Sequence, residues 1–168
     1  KALSELLNAI MDVSRLDAGT VRLEKQNINL NMLLDEIAYS MRPQAEERQV
    51  ELTVSVPIIT VYSDPVLLSR VLRNLLSNAI THSEAKNITV DTRSYENTLR
   101  LRVCDDGIGI AETEIENIFS EFYQLKNPER NRAKGIGLGL AIVNRILKQL
   151  EHDINVDSQV SKGSVFSI

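Results

Sequence analysis

The segment from Asp64 to His82 constrains the fold of this chain more than any other. Asp64-Pro65 is an N-cap residue followed by proline at the first helical position, which predicts a helix that begins there and runs to about His82. Apolar residues at helical spacing form its buried stripe: Leu68, Leu72, Leu75 and Ala79. Asn74 and Asn78 lie one turn apart on a face rotated by roughly 100°. We therefore expect both amides to line a groove at the edge of the core.

The remaining pattern mixes helices with antiparallel hairpins. Asn29 is expected to cap a helix that Pro43 either kinks or marks in its last turns. A short helix is predicted over 112–118 and a strongly periodic helix over 138–150. Alternating segments predict strands over 51–56, 59–62, 88–95, 98–104, 154–157 and 165–168. These elements predict an α+β fold, a two-layer α/β sandwich.

Composition narrows the functional classes. The chain has 168 residues, 43% of them hydrophobic and 25% charged, as in ordinary globular domains. Its net charge of −4 argues against binding to nucleic acid or to an anionic membrane surface. The single cysteine, Cys104, excludes an internal disulfide and a cysteine-ligated zinc site, and we expect it to be a buried structural thiol. There is no apolar stretch of membrane-spanning length and no signal peptide, so membrane attachment would belong to parts of a parent protein outside this chain.

The N-terminal segment is typical of a bundle or coiled-coil helix. Leu3, Leu6, Ile10 and Val13 alternate spacings of three and four, and Gly19 is placed as a helix stop. Such a short seam needs a partner helix, although an ordinary packing helix remains the alternative. Because the first residues have the pattern of mid-helix and no initiator Met precedes them, we expect a piece of a longer protein. Residues 21–30 are expected to be an extended connector.

Two glycine-rich turns and the asparagine pair together predict a nucleotide site. Asp105-Asp106-Gly107-Ile108-Gly109 opens a turn with an acid, and Gly135-Ile136-Gly137-Leu138-Gly139-Leu140 opens the last helix. Glycines let backbone amides close on phosphate oxygens at a helix N-terminus, where the helix dipole also favours an anion. The Asp105 carboxylate can accept from the exocyclic amino group of adenine, where guanine presents a carbonyl. The three pieces predict that the chain binds ATP.

On these motifs the chain resembles the C-terminal part of bacterial sensor histidine kinases, whose ATP-binding domain, of the Bergerat type, is related to the gyrase, Hsp90 and MutL ATPases. The matching boxes occur in the family's order: an asparagine box at 70–83, a first glycine box at 105–110, a phenylalanine box at 119–122 and a second glycine box at 135–140. Ser14-Arg15-Leu16-Asp17-Ala18-Gly19 resembles the end of the family's dimerisation hairpin. The resemblance implies a hairpin end at 1–20, a connector at 21–30 and an ATP-binding catalytic domain at 31–168.

The resemblance also implies the ligands and their contacts. ATP and Mg²⁺ would be bound, with Asn78 holding the metal and positioning Mg-ATP, and with Asn74 beside the phosphates. Asp105 would select adenine. Thr81 stands where the family often has Lys, so either a lid residue compensates for the missing cation or the affinity for nucleotide is lower. One basic residue of Arg130, Arg132 and Lys134 is expected to reach the terminal phosphate. The remaining residues expected to contact the nucleotide are His82, Gly107, Gly109, Ile110, Tyr123, Lys134, Gly135, Gly137, Leu138, Gly139 and Leu140.

The segment over 123–134 is long and polar, which is typical of a mobile lid. Phe119 and Phe122 are spaced to anchor its base. The hydrolytic relatives have a glutamate as general base one turn before the metal-binding asparagine, but that position here is Asn74. An amide cannot take a proton, so the sequence favours phosphoryl transfer over hydrolysis.

The implied reaction is in-line transfer of the γ-phosphoryl group to a histidine on the dimerisation hairpin, followed by relay to an aspartate of a response-regulator receiver domain. The parent would be a homodimer through the hairpin, and this domain would be cytoplasmic. His82 and His152, the only histidines, are not in an acceptor context, so we expect the reactive histidine to lie outside this chain. A serine kinase of the anti-sigma type and a non-catalytic ATP-dependent interaction module remain as alternatives.

Overall fold

The computed structural model describes residue 11 and residues 22–96, 98–125 and 137–168. In this part of the chain the helices longer than one turn are α1 (Leu30–Glu47), α2 (Pro65–His82) and α3 (Gly139–Leu150). The strands are β1 (Gln26–Asn29), β2 (Glu51–Ser55), β3 (Thr60–Ser63), β4 (Asn87–Tyr95), β5 (Thr98–Asp105), β6 (Asn155–Gln159) and β7 (Gly163–Ser167). The predicted seam at Leu3, Leu6, Ile10 and Val13 lies outside the described residues.

Five strands form the main sheet, in the order β2-β4-β5-β7-β6. The β2–β4 pair is parallel and the other three pairs are antiparallel. Strand β5 is central, and its alternation sends Leu101 and Val103 into the core while Arg102 faces outward. On that outer face Arg102 forms a bidentate ion pair with Asp91, its cross-strand neighbour on β4. One face of the sheet is therefore apolar and covered, and the other is polar.

The helices cover the apolar face and complete a two-layer sandwich. The buried side chains come from all three helices and from the sheet: Leu34, Ile37, Val71, Leu72, Leu76, Val90, Val103, Val143 and Ile146. All four positions of the predicted α2 stripe are buried as well. This arrangement confirms the predicted α+β two-layer fold.

Asp64 fixes the start of α2. Its Oδ1 accepts hydrogen bonds from the backbone N–H groups of Val66 and Leu67, both at 3.0 Å, which satisfies two donors of the first turn. Its Oδ2 accepts from the N–H of Glu24 at 2.9 Å. The side chain is buried. One carboxylate therefore caps the helix and holds the connector beside it.

The predicted connector contains a strand and is attached to the rest of the domain. Strand β1 pairs antiparallel with β3 to form a separate two-stranded sheet, and Asn29 then caps α1 by accepting from the N–H of Met32. Lys25 lies 3.3 Å from both the carbonyl oxygen of Leu150 and a carboxylate oxygen of Glu151 at the end of α3. Residues 24–29 are thus attached to the sandwich, while the division at residues 20 and 30 stays a prediction.

The predicted helix over 112–118 is wrong. The segment forms two 3₁₀ turns, Glu112–Glu114 and Asn117–Phe119. Neither turn has a side-chain N-cap, and Ile118 is the only residue of the two turns that is buried. A segment with one apolar anchor cannot present the continuous buried stripe that stabilises a short α-helix.

Among the described helices, none is both long enough and apolar enough to cross a bilayer.

Replacing Asp64 by alanine should lower the free energy of unfolding by about 1–3 kcal/mol, because the cap of α2 and the bond to the connector are both lost. Urea denaturation monitored by circular dichroism measures this change. Asp64→Asn keeps an Oδ1 acceptor for the first turn and should lose less than half as much. Asp35→Ala, an exposed change within α1, serves as the control. Equal losses in Asp64→Ala and Asp64→Asn would show that capping is not the source.

Candidate nucleotide site

The amide pair on α2 faces the first turn of α3. Asn74 and Asn78 are half-buried beside the apolar stripe, as the helical spacing predicts. A Cβ atom at Gly139 would lie 3.2 Å from Asn74 Oδ1 and 3.6 Å from Asn78 Oδ1. Asn74 Nδ2 donates to the carbonyl oxygen of Arg70 at 2.9 Å, which fixes which end of the amide points toward Gly139. The start of α3 therefore meets both asparagines.

The N-terminus of α3 has the features of an anion site. Leu138 is the N-cap residue, and it supplies no side-chain hydrogen bond to the first turn. The first N–H groups of a helix lack partners within the helix and carry its positive dipole end. Leu138 is buried and Leu140 is half-buried against the core, so their side chains hold the start of the helix in place beside the asparagine pair.

Asp105 ends β5 with its carboxyl group half-buried. Its Oδ1 accepts from the N–H of Gly107 at 3.0 Å. Burial raises the pKa of Asp105; hydrogen bonds from the backbones of Gly107 and Ser164 oppose this, and the nearby Asp106 raises it further. Asp106 behaves in the opposite way, because hydrogen bonds from the backbone and side chain of Asn87 lower its pKa. The two adjacent carboxyl groups are thus held in different environments.

The first glycine turn requires glycine for steric reasons. A Cβ at Gly107 would lie 2.1 Å from the carbonyl oxygen of Ser83, and one at Gly109 would lie 2.0 Å from that of Gln159. Gly109 also has φ +67°, in the left-handed region. Ile110, which follows, is half-buried and packed against the core. The turn is therefore pressed backbone to backbone between the end of α2 and the β6–β7 hairpin.

Backbone contacts join the two flanks of the segment that is predicted to be a lid. Phe122 N–H donates to the carbonyl oxygen of Gly137 at 2.9 Å, and Gly137 has φ +75° against the backbone of Phe122 and Tyr123. Phe119 and Tyr123 pack against the core, but the Phe122 side chain is 57% exposed. The expectation that Phe122 packs as an aromatic anchor is thus wrong. Arg130, Arg132, Lys134 and Gly135 lie outside the described residues.

Four other residues that the sequence singles out have clear places in the structure: Thr81, His82, Cys104 and His152. His82 is exposed at the end of α2, and Thr81 accepts a hydrogen bond from Gln44 Nε2 at 3.1 Å. Thr81 is thereby engaged with α1. His152 follows the C-terminal end of α3, and its Nε2 lies 3.1 Å from the hydroxyl oxygen of the buried Ser63. Cys104 is half-buried on the outer sheet face, and its pKa is raised mainly by burial, which keeps it a thiol.

Sequence reasoning missed the residues that support the Asp105 turn from behind. A Cβ at Gly163 would lie 1.9 Å from the carbonyl oxygen of Asp105, and Gly163 has φ +97°. Ser158 Oγ accepts from the N–H of Ile110 at 2.8 Å. The signal available was the turn sequence Ser161-Lys162-Gly163 between two strands, but nothing local indicates that this turn contacts residues about fifty positions earlier.

Known proteins are similar to this chain in sequence. The family described as "Histidine kinase-, DNA gyrase B-, and HSP90-like ATPase" matches residues 63–168. The autoinducer 2 sensor kinase/phosphatase LuxQ of Vibrio cholerae is 35% identical over 97% of this chain and 20% of its own length. The aerobic respiration control sensor protein ArcB of Escherichia coli (strain K12) is 32% identical over 99% of this chain and 22% of its own. The chain spans about a fifth of the length of these relatives.

Solved structures agree with the sequence matches. Full-length ShkA in complex with AMPPNP matches 98% of this chain and 35% of its own chain, with a TM-score of 0.86 and 28% identity. The nucleotide-free catalytic domain of histidine kinase ThkA matches 86% of this chain and 93% of its own, with a TM-score of 0.73 and 26% identity. The chain therefore belongs to the histidine kinase-, DNA gyrase B- and HSP90-like ATPase family, as an ATP-binding catalytic domain of the sensor histidine kinase type.

Proposed function

We propose that this domain binds Mg-ATP between α2, the Asp105 turn and the first turn of α3, and that it donates the γ-phosphoryl group to a histidine imidazole. The observation that carries the proposal is the approach of Gly139 to the amides of Asn74 and Asn78. Amide oxygens suit a magnesium ion, and the N–H groups of a helix start suit phosphate. The AMPPNP complex of the similar protein ShkA supports the same ligand class here.

The amide face of α2 fits a magnesium ion held mainly by phosphate. Mg²⁺ takes one or two protein oxygens and fills its other positions with water and phosphate oxygens. Asn78 would hold the ion through its side-chain oxygen, and the bound metal would neutralise charge on the transferring phosphoryl group. Gly135, Gly137 and Gly139 would bring backbone amides to the phosphates, with Lys134 reaching the terminal one.

The Asp105 carboxylate would recognise adenine. The Gly107 N–H fixes one carboxylate oxygen, and a carboxylate has further lone pairs that can accept from the exocyclic amino group. Guanine would place a carbonyl oxygen against this half-buried negative charge, which is unfavourable because both groups only accept hydrogen bonds. The rest of the nucleotide site would be lined by His82, Ile110 and Tyr123. Leu138 and Leu140 would contribute their backbone, since their side chains pack against the core.

Asn74 favours transfer over hydrolysis. Its amide cannot remove a proton from water, and its Nδ2 is already donating to the carbonyl oxygen of Arg70. A nucleophile that needs no base at this position, such as a neutral imidazole, is therefore the better acceptor. The site would act by positioning the donor and by balancing its charge.

The acceptor and its partners follow from the similarity to sensor kinases. We infer that the histidine lies on a two-helix dimerisation hairpin whose end is residues 1–20, joined by residues 21–30 to the catalytic domain over 31–168. The phosphoryl group would pass to an aspartate of a response-regulator receiver domain. The parent would be a homodimer, with this domain on the cytoplasmic side. The relatives LuxQ and ArcB, named as sensor proteins, support this assignment.

Asp105→Asn should weaken ATP binding by about 5- to 150-fold, which corresponds to about 1–3 kcal/mol for a lost complementary hydrogen bond, without unfolding the domain. Displacement titration with ATP and GTP in the presence of magnesium measures this, and the unchanged protein should prefer ATP. Asp153→Asn removes an exposed carboxylate past α3 and is the charge-matched control. Competition by GTP as strong as by ATP in the unchanged protein would refute adenine selection by Asp105.

Binding should also depend on pH in a direction set by Asp105. Its pKa is raised in the folded protein, and adenine requires the carboxylate as acceptor, so ATP affinity should fall as pH falls through that raised pKa. The ratio of affinities between the unchanged protein and Asp105→Asn, measured from neutral to mildly acidic pH, cancels the titration of ATP phosphate. This ratio should shrink toward one on acidification. A constant ratio while circular dichroism reports an intact fold would contradict the expected role.

A further inference from the structure

The turn after Asp105 is backed by the β6–β7 hairpin. Asp105 lies directly opposite Ser164 in the β5–β7 register. The N–H of Ser161 donates to the carbonyl oxygen of Ile108 at 2.7 Å. Gly109 lies against the backbone of Gln159, at a separation that no side chain could share. The hairpin is therefore the surface on which the 107–110 turn rests.

Ser158 makes the side-chain bond in this contact. Its Oγ accepts from the N–H of Ile110 at 2.8 Å, and it lies 3.0 Å from both the carbonyl oxygen of Gly163 and the hydroxyl oxygen of Ser164. A hydroxyl carries one proton and two lone pairs. With the Ser158 proton directed to Gly163, the proton between the two serines comes from Ser164. All hydrogen-bonding capacity of Ser158 is then used.

This network links the two ends of the turn. Gly163 lies against the carbonyl oxygen of Asp105, and Ile110 ends the turn three residues after Gly107, whose N–H binds the Asp105 carboxylate. A hydroxyl that holds Ile110 and Gly163 together fixes the distance between the start and the end of the turn. The Ser158 side chain is half-buried, and its three hydrogen bonds all lie within this contact.

We infer that Ser158 is a positioning residue of the adenine pocket: its hydroxyl fixes the 107–110 turn and thereby the orientation of the Asp105 carboxylate toward the base. This inference rests on the proposed ATP site, because it assigns the support of that site. Ser158 does not touch the nucleotide in this scheme, and it acts through Ile110 and Gly163. The side chain at this position must carry a hydroxyl group, but threonine can take the place of serine.

The test compares Ser158→Ala with Ser158→Thr. The alanine variant removes the acceptor for Ile110, and it should weaken ATP binding by about 2- to 10-fold while GTP binding changes little. The selectivity for ATP over GTP should fall by that factor. The threonine variant keeps a hydroxyl and should restore the selectivity. Ser167→Ala, which removes a buried hydroxyl elsewhere on β7, controls for general loss of stability and should leave the selectivity unchanged.

Amide hydrogen exchange followed by NMR tests the bond without any nucleotide. Exchange of the Ile110 N–H should speed up in Ser158→Ala and return toward the original rate in Ser158→Thr, with no change in Ser167→Ala. Unchanged exchange and unchanged selectivity in Ser158→Ala would overturn the inference, as would equal losses of ATP and GTP affinity or a failure of threonine to rescue. Absence of ATP selectivity in the unchanged protein would instead refute the proposed adenine site, and the exchange rates would still decide whether Ser158 holds the turn.

Discussion

The close approach of the first turn of α3 to α2 is the contact on which the candidate site depends. The apolar stripes of the two helices, with Leu72 and Ile146 fully buried, set their separation through core packing. At that separation a Cβ on Gly139 would lie 3.2 Å from Asn74 Oδ1, so a side chain at this position would require the Asn74 amide to shift. The amides lie at the rim because they are rotated away from the stripe. The core therefore determines the distance between the groups that we assign to metal and phosphate.

The adenine side of the site is built on a different principle. Gly107, Gly109 and Gly163 each stand where a Cβ would overlap a backbone atom of another segment. Three backbone segments are thus pressed together, and hydrogen bonds that backbone N–H groups donate to Ser158 and Asp106 fix their relative positions. A turn held in this way loses little conformational freedom on binding a base, which lowers the entropic cost of recognition.

Local signals explain what the sequence could predict. The cap at Asp64, the stripe of α2 and the position of Asn74 and Asn78 all depend on neighbours within a few residues, and the structure has them as expected. The supporting contacts could not be predicted in this way. Ser158 bonds to a residue 48 positions away, and its serine in an alternating strand has no local mark of that partner. The prediction that Phe122 packs as an anchor was wrong for a related reason. The spacing of the two phenylalanines does not indicate that the turn places the Phe122 side chain outward.

Phosphoryl transfer in trans tests most directly whether this site passes phosphate to an imidazole and not to water. The chain would be incubated with magnesium and γ-labelled ATP, together with a separate polypeptide that carries the two-helix hairpin proposed for its parent protein. We expect acid-labile label on a hairpin histidine, and no label when the Asn78→Ala variant replaces the unchanged chain. Release of free phosphate with an unlabelled hairpin, or label on His82 or His152 of this chain, would contradict it.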